Sequence, residues 1–254
     1  MTPQSLISAA LILSLATLRL PAAAEELATD TGTHLVGDIG IGTDFMAQPG
    51  RKGRHERVFP YANFDYGRAF ARVDTFGVKL LPLGYGDLEL AARAIDDGYD
   101  PASPRVPMPA RRNNSLPIGL GTLQTTPIGA LFANVFHDAG PSKGTLIDVM
   151  YAAELDFGQL ALYPQAGAQR QSAAYIRYYY GVSPTIAPDP AASYQPRSAT
   201  SPYAALFLEL KVHGNWYANA NLRRTWLPPA ISSSPLAMHH RLDSAMLALS
   251  YRYN

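Results

Sequence analysis

The chain has 254 residues, with 20 Gly, 21 Pro, no cysteine, 16% charged residues and a formal net charge of +1. Residues 1–24 carry a single charge, Arg19, so removing them leaves 20 basic and 20 acidic groups. That balance offers no electrostatic footprint for nucleic acid. The missing cysteines exclude disulfide scaffolds, thiolate-held metals and thiol catalysis, and an apolar fraction of 47% excludes a disordered chain.

The first element is an address. Leu6 to Leu18 is an apolar core of signal-peptide length, and Ala22-Ala23-Ala24 before Glu25 supplies the small residues a signal peptidase reads. A spanning helix needs about 20 apolar residues, and Arg19 with Pro21 cuts this run short. Residues 1–24 are therefore expected to be a cleaved signal peptide, with residues 25–254 forming one domain. No later stretch is long and apolar enough for a transmembrane helix, so an exported globule and an outer-membrane barrel remain, and periodicity decides between them.

From Leu35 onward the chain alternates with period two, the pattern of strands whose successive side chains face opposite sides. Leu35, Gly37, Ile39 and Ile41 oppose Asp38 and, further on, Asp44. Strands are predicted near 34–45, 58–66, 69–74, 76–83, 87–96, 115–125, 127–137, 143–157, 159–171, 202–213, 215–226 and 243–253. The stretches 69–74 and 76–83 also read as one strand, which would change the count. The clearest run sets Ile147, Val149, Tyr151, Leu155 and Phe157 against Asp148, Glu154 and Asp156. Later runs set Leu208 and Leu210 against Glu209 and Lys211, Leu222 against Arg223, and Tyr251 and Tyr253 against Arg252.

Many of these strands run to about ten residues, the length a tilted strand needs to cross a bilayer. Tight Gly turns at Gly67, Gly84, Gly158 and Gly214 alternate with long connections at 46–57, 97–114, 172–201 and 227–242, most of them Pro-rich. Pro is excluded from central strands, so its clustering marks loops. Short turns on one side and long loops on the other are the asymmetry of outer-membrane barrels. The expected fold is thus all-β: a closed antiparallel transmembrane β-barrel of about 12 strands, with short periplasmic turns and long extracellular loops. A soluble sandwich, with the tryptophans in its core, is the competing reading.

Within the barrel reading, parity places Asp38, Asp44, Glu89, Arg93, Asp148 and Glu154 in the lumen, together with Asp156, Glu209, Lys211, Arg223 and Arg252. These charges either pair across the interior and plug it or line a narrow, slightly cation-favouring pore. Trp216 and Trp226 share outward parity ten residues apart, a rise of roughly 25 Å at about 3.3 Å per residue and a tilt of about 40°. That is the height of the apolar band between aromatic girdles, and Phe157, Tyr251 and Tyr253 would join Trp216 at the periplasmic edge. Arg224 breaks the outward pattern. It reads as reaching lipid or lipopolysaccharide phosphates, or as an ordinary interfacial Arg.

Four segments, PYANFDYGRAF (60–70), RYYYGVSP (177–184), SSPLA (233–237) and LALSYRYN (247–254), resemble the MipA/OmpV family of outer-membrane proteins. The resemblance implies residence in the outer membrane of a Gram-negative bacterium. It also implies a scaffold linking a lytic murein transglycosylase to a peptidoglycan synthase, and other members suggest adhesion or small-solute permeation. Loop 172–201, with Tyr178, Tyr179 and Tyr180, can fold over the mouth or extend the preceding strand.

No nucleophile elbow, zinc-protease, phosphate-loop or EF-hand pattern is present. A lipid hydrolase would need Ser and His on the lipid face, and only His137 with Ser142 comes near that pattern. His239-His240 lacks a further metal ligand beside it. The chain is accordingly read as a non-enzyme without cofactor or metal, whose surroundings are outer-membrane lipid and lipopolysaccharide.

Overall fold

A computed structural model of the chain describes residues 34–47, 54–100, 111–185, 187 and 193–254. The expected signal peptide lies outside these residues. The first strands are β1 (Leu35–Ala47), β2 (Arg54–Tyr66), β3 (Ala69–Arg72), β4 (Thr75–Leu83) and β5 (Gly86–Arg93). They are followed by β6 (Pro117–Thr126), β7 (Gly129–Asp138), β8 (Thr145–Ala153), β9 (Leu155–Asp156) and β10 (Leu160–Gln171). Helix α1 (Ala173–Tyr180) leads to β11 (Ala199–His213) and β12 (Trp216–Trp226), and the short α2 (Pro229–Ser232) leads to β13 (Arg241–Tyr253).

Every strand pairs antiparallel with its sequence neighbour, and β13 pairs with β1, so the sheet closes on itself. β9 continues β8 after a break at Glu154, and both lie on β10, so the ring is a 12-strand barrel. The stretches 69–74 and 76–83 are two strands, turned by Val73 and Asp74. β1 and β2 run further outward than the sequence pattern suggested, into what read as loop 46–57. The reason is a cross-strand pair: Arg57 stands opposite Asp44 and bonds it.

Four of the tight turns carry glycine with φ between 54° and 81°, at Gly67, Gly84, Gly158 and Gly214. A two-residue hairpin turn needs the left-handed region, which glycine enters without steric penalty. Apolar side chains on the outside of the ring are exposed, among them Ile41, Val135, Leu222, Leu247 and Leu249. The buried side chains point inward instead. This inversion of the usual globular arrangement is the signature of a wall that meets lipid, and it removes the sandwich reading.

The interior has two storeys. Toward the long loops, a core of Phe70, Phe136 and Leu146 from the wall packs against Tyr175, Ile176, Tyr179 and Tyr180 of α1 and Ile231 of α2. Toward the short turns, Tyr61, Met246 and Ala248 pack with Phe59 and Phe207.

Candidate functional site

The lower storey is organised by Arg252. Its guanidinium donates to both oxygens of Asp38, at 2.8 and 2.7 Å, and to Glu209 at 2.6 Å, while lying 3.8 Å from the Tyr217 ring centroid. Asp38 and Arg252 are register partners across the β1–β13 closure, so ring closure itself brings them together. Asp38 is 1% exposed. A carboxylate so far from water is tolerated because a bidentate cation satisfies it. Asn219, equally enclosed, donates to Ser250 at 2.8 Å.

Most of the remaining interior charges also pair, largely between wall strands. Arg57 donates to Asp44 at 2.7 Å. Arg72 forks onto Glu89 at 3.1 and 2.9 Å and lies over Phe70. Lys79 meets Asp65 at 2.9 Å. Arg93 donates to Asp148 at 2.6 Å and to Thr75 at 3.1 Å, and Asp148 accepts a further bond from Tyr203 at 2.9 Å. Arg223 stacks 3.6 Å from the Tyr203 centroid. Glu154 is half-buried beside the strand break, whereas Asp156 and Lys211 are exposed at the short-turn rim, where Asp156 accepts from Gly158 N–H in the turn. The acidic excess read from the sequence came from overlooking the partners Arg57, Arg72 and Lys79. Arg57 fell in a presumed loop; Arg72 and Lys79 lie in the two strands that were hardest to separate.

The upper storey is a plug. Ser172 caps α1, accepting from Tyr175 N–H at 3.4 Å and from Thr145 N–H of the wall at 2.9 Å. Gly144 allows the helix to seat: a Cβ there would come within 2.5 Å of Tyr175. Asp97, on the chain leaving β5, accepts from Ser115 N–H at 2.8 Å, from Ser115 Oγ at 2.7 Å and from the Tyr175 hydroxyl. Burial pushes the Asp97 carboxyl above the usual carboxylate range, against the lowering effect of those bonds. Burial likewise raises Tyr175, and the neighbouring Asp97 charge adds to it. Tyr99 donates to the Tyr179 carbonyl, Tyr179 to the Asn113 carbonyl at 2.9 Å, and Ser234 to the Tyr180 carbonyl at 2.6 Å. Ala173–Tyr180 thus follows the first of the two readings of loop 172–201: the three tyrosines fold over the mouth, on a helix.

On the outside, Trp216 and Trp226 are 45% and 46% exposed, and Phe157 and Tyr253 also project outward. Tyr251 stands between Trp216 and Tyr253, 5.5 Å and 5.1 Å from their ring centroids. Arg224 is paired on the surface, donating to Asp243 at 2.7 and 3.1 Å. His137 and Ser142 do not form a pair: His137 is exposed on the outside, whereas Ser142 is buried and donates to Asp138. Among the described residues no group of three or more His, Cys, Asp or Glu side chains gathers as a metal site would require.

An Escherichia coli chain named as an outer membrane protein, YiaT, is 22% identical over 233 residues, covering 89% of this chain and 94% of that one. The MltA-interacting protein of Escherichia coli is 28% identical over 144 residues, 56% of this chain and 58% of that one. The outer membrane channel DcaP of Acinetobacter baumannii overlaps 87% of this chain and 96% of its own at 8% identity, with a TM-score of 0.38. The family model described as MltA-interacting protein MipA matches residues 39–253, from within β1 to the end of β13. The chain is therefore a member of the MltA-interacting protein MipA family, an outer-membrane β-barrel.

Proposed function

We propose that the protein is a non-enzymatic scaffold that holds murein-hydrolysing and murein-synthesising enzymes at the inner face of the outer membrane. The observation that carries this reading is the end of the β4–β5 hairpin. Leu80, Leu81, Pro82, Leu83 and Tyr85 are all exposed there, so the hairpin presents apolar surface on both faces at the short-turn side. Consecutive exposed apolar residues at a rim suit a protein partner. The name of the MltA-interacting relative supports one partner, a lytic transglycosylase; the peptidoglycan synthase is what the family resemblance implies. Lipopolysaccharide and lipid would surround the outer wall.

The test is capture from a periplasmic extract on the detergent-solubilised protein. Recovery of a murein hydrolase or synthase, lost in Leu81→Glu/Leu83→Glu, is the expected result. Recovery of neither enzyme on the unaltered protein overturns it. The second reading, a narrow polar pore, draws on the half-buried carboxylates Glu154 and Glu209 of the lower storey. The tyrosine-rich plug and the paired charges weigh against it. Planar-bilayer recording separates the two, since a scaffold with a filled interior stays silent at all voltages.

A further inference from the structure

Among the described residues the wall is incomplete on one side. β2 has 13 residues and pairs with β1 along its whole length, but β3 has four residues and pairs with β2 only from Asn63 to Tyr66. The ladder stops where Val73 N–H bonds the Ala62 carbonyl at 2.7 Å. Four residues at about 3.3 Å, tilted about 40°, climb about 10 Å of the roughly 25 Å apolar band. The β3–β4 tip therefore lies within the membrane thickness, and above it, among the described residues, no strand stands between β2 and the chain leaving β5 at Arg93. On that edge, among the described residues, Glu56 to Tyr61 make no backbone hydrogen bond to the hairpin or to the chain leaving β5. The gap is bounded below by the tip, where Ala94 N–H bonds the Asp74 carbonyl at 2.8 Å. It is bounded above by Arg57 and Asp96, 4.0 Å apart.

Two sequence features suit a deliberate break. Pro60 has the same parity as Ala62, so the N–H it lacks is the one that would have faced the missing strand, the position where a sheet edge accepts proline. Val73 turns the tip with φ 58°, a conformation β-branched residues avoid unless the surroundings impose it. The chemistry around the break is apolar on both faces. Val58, 68% exposed, with Pro60 and Phe76, faces lipid. Behind them, Phe59 and Tyr61 belong to one interior cluster, and Phe70 and Ile95 to the other.

We propose that this seam is a lateral entry through which the acyl chain of a surrounding membrane lipid reaches the barrel interior, between the two aromatic clusters. The occupant follows from position: the break lies in the apolar band, its margins are apolar, and lipid is what stands against it. Unsatisfied strand edges are unfavourable in hydrocarbon, so the ester carbonyls of the same lipid would accept from the seam-facing N–H groups of Glu56 and Val58, near Arg57. This inference is independent of the periplasmic docking role, and either can fail alone.

The test uses the full chain reconstituted in phosphatidylcholine vesicles whose acyl chains carry a photoreactive diazirine, with adducts mapped by mass spectrometry. Adducts are expected on outward Leu222 and Leu249 as controls, and on inward Phe59, Tyr61 or Phe70 at the seam, but not on Gln165 of the opposite wall. Because the chain has no cysteine, Arg57→Cys/Asp96→Cys can be bridged with a short bis-maleimide. Bridging should abolish the inward adducts and spare the outward ones. Adducts confined to outward residues overturn the proposal, as do inward adducts that persist after bridging. A protein, rather than lipid, crosslinked to a photoreactive residue at Val58 in native membranes assigns the edge to a partner strand and also overturns it.

Discussion

Replacing Arg252 with Met tests whether the lower storey is as dry as its geometry implies. The guanidinium makes three charge-assisted bonds, at 2.8, 2.7 and 2.6 Å, to Asp38 and Glu209. Asp38 is enclosed, so water cannot replace the lost donors without opening the wall. The variant leaves two carboxylates facing each other without their cation. Breaking a buried pair from one side costs about 3–5 kcal/mol, on the order of a thousandfold in the folding equilibrium. Replacing the whole triad, as Asp38→Leu/Glu209→Met/Arg252→Met, should recover most of that loss, because the desolvation burden goes with the charges. Urea unfolding in lipid vesicles measures both variants, with tryptophan fluorescence and the gel shift of the folded barrel as readouts. A loss below about 1 kcal/mol in Arg252→Met, the size of an exposed pair, would refute the reasoning: Asp38 would then be hydrated.

Three further outcomes follow from the plug and the rim. Gly144→Val should push α1 out of its seat, because even a Cβ there comes within 2.5 Å of Tyr175; overpacking of this kind costs about 1–3 kcal/mol, and single-channel steps should appear that the plugged native protein is expected to lack. Asp97 carries a raised carboxyl value because burial disfavours its charge, so its native-state penalty is fully present above that value and is relieved as pH falls through it. Lowering the pH from neutral into the weakly acidic range should therefore slow proteolysis of the plug, judged with an acid-tolerant protease against an unfolded control, and Asp97→Asn should flatten that dependence. Arg224→Ala should leave the unfolding midpoint unchanged, since its pair with Asp243 is half exposed on both sides.

The barrel was legible in the sequence because its signals are local. Period-two alternation from Ile147 to Phe157 and from Trp216 to Trp226 fixes which face meets lipid, and the turn glycines fix where the strands end. Two features were not legible. In AAYIRYYY the four tyrosines and Ile176 are strand formers, while the helical cues are Ala173, Ala174 and Arg177, the Ser172 cap and the buried spacing of Tyr175, Ile176, Tyr179 and Tyr180; tertiary burial decides the conformation. The strand at 69–74 was read from the pattern, with one strand through residue 83 as its alternative, but nothing local says that pairing with β2 stops at Asn63. The interior pairs were half visible. Parity gave the acids together with Arg93 and Arg252, but Arg57 required knowing that β2 begins before it, and Arg72 and Lys79 lie in the two strands that were hardest to separate.

The Asp38–Arg252 contact also bears on how the ring assembles. Its partners stand 214 positions apart in the chain, while α1 grows from the connection between the neighbours β10 and β11. Nascent hairpins can zip one after another and carry the tyrosine helix inward while the first and last strands are still separate. The electrostatic clasp at their junction contributes nothing until the circle shuts, and long-range contacts of this kind form late and slowly. The clasp would then act as a final lock, stabilising the finished cylinder without speeding its construction.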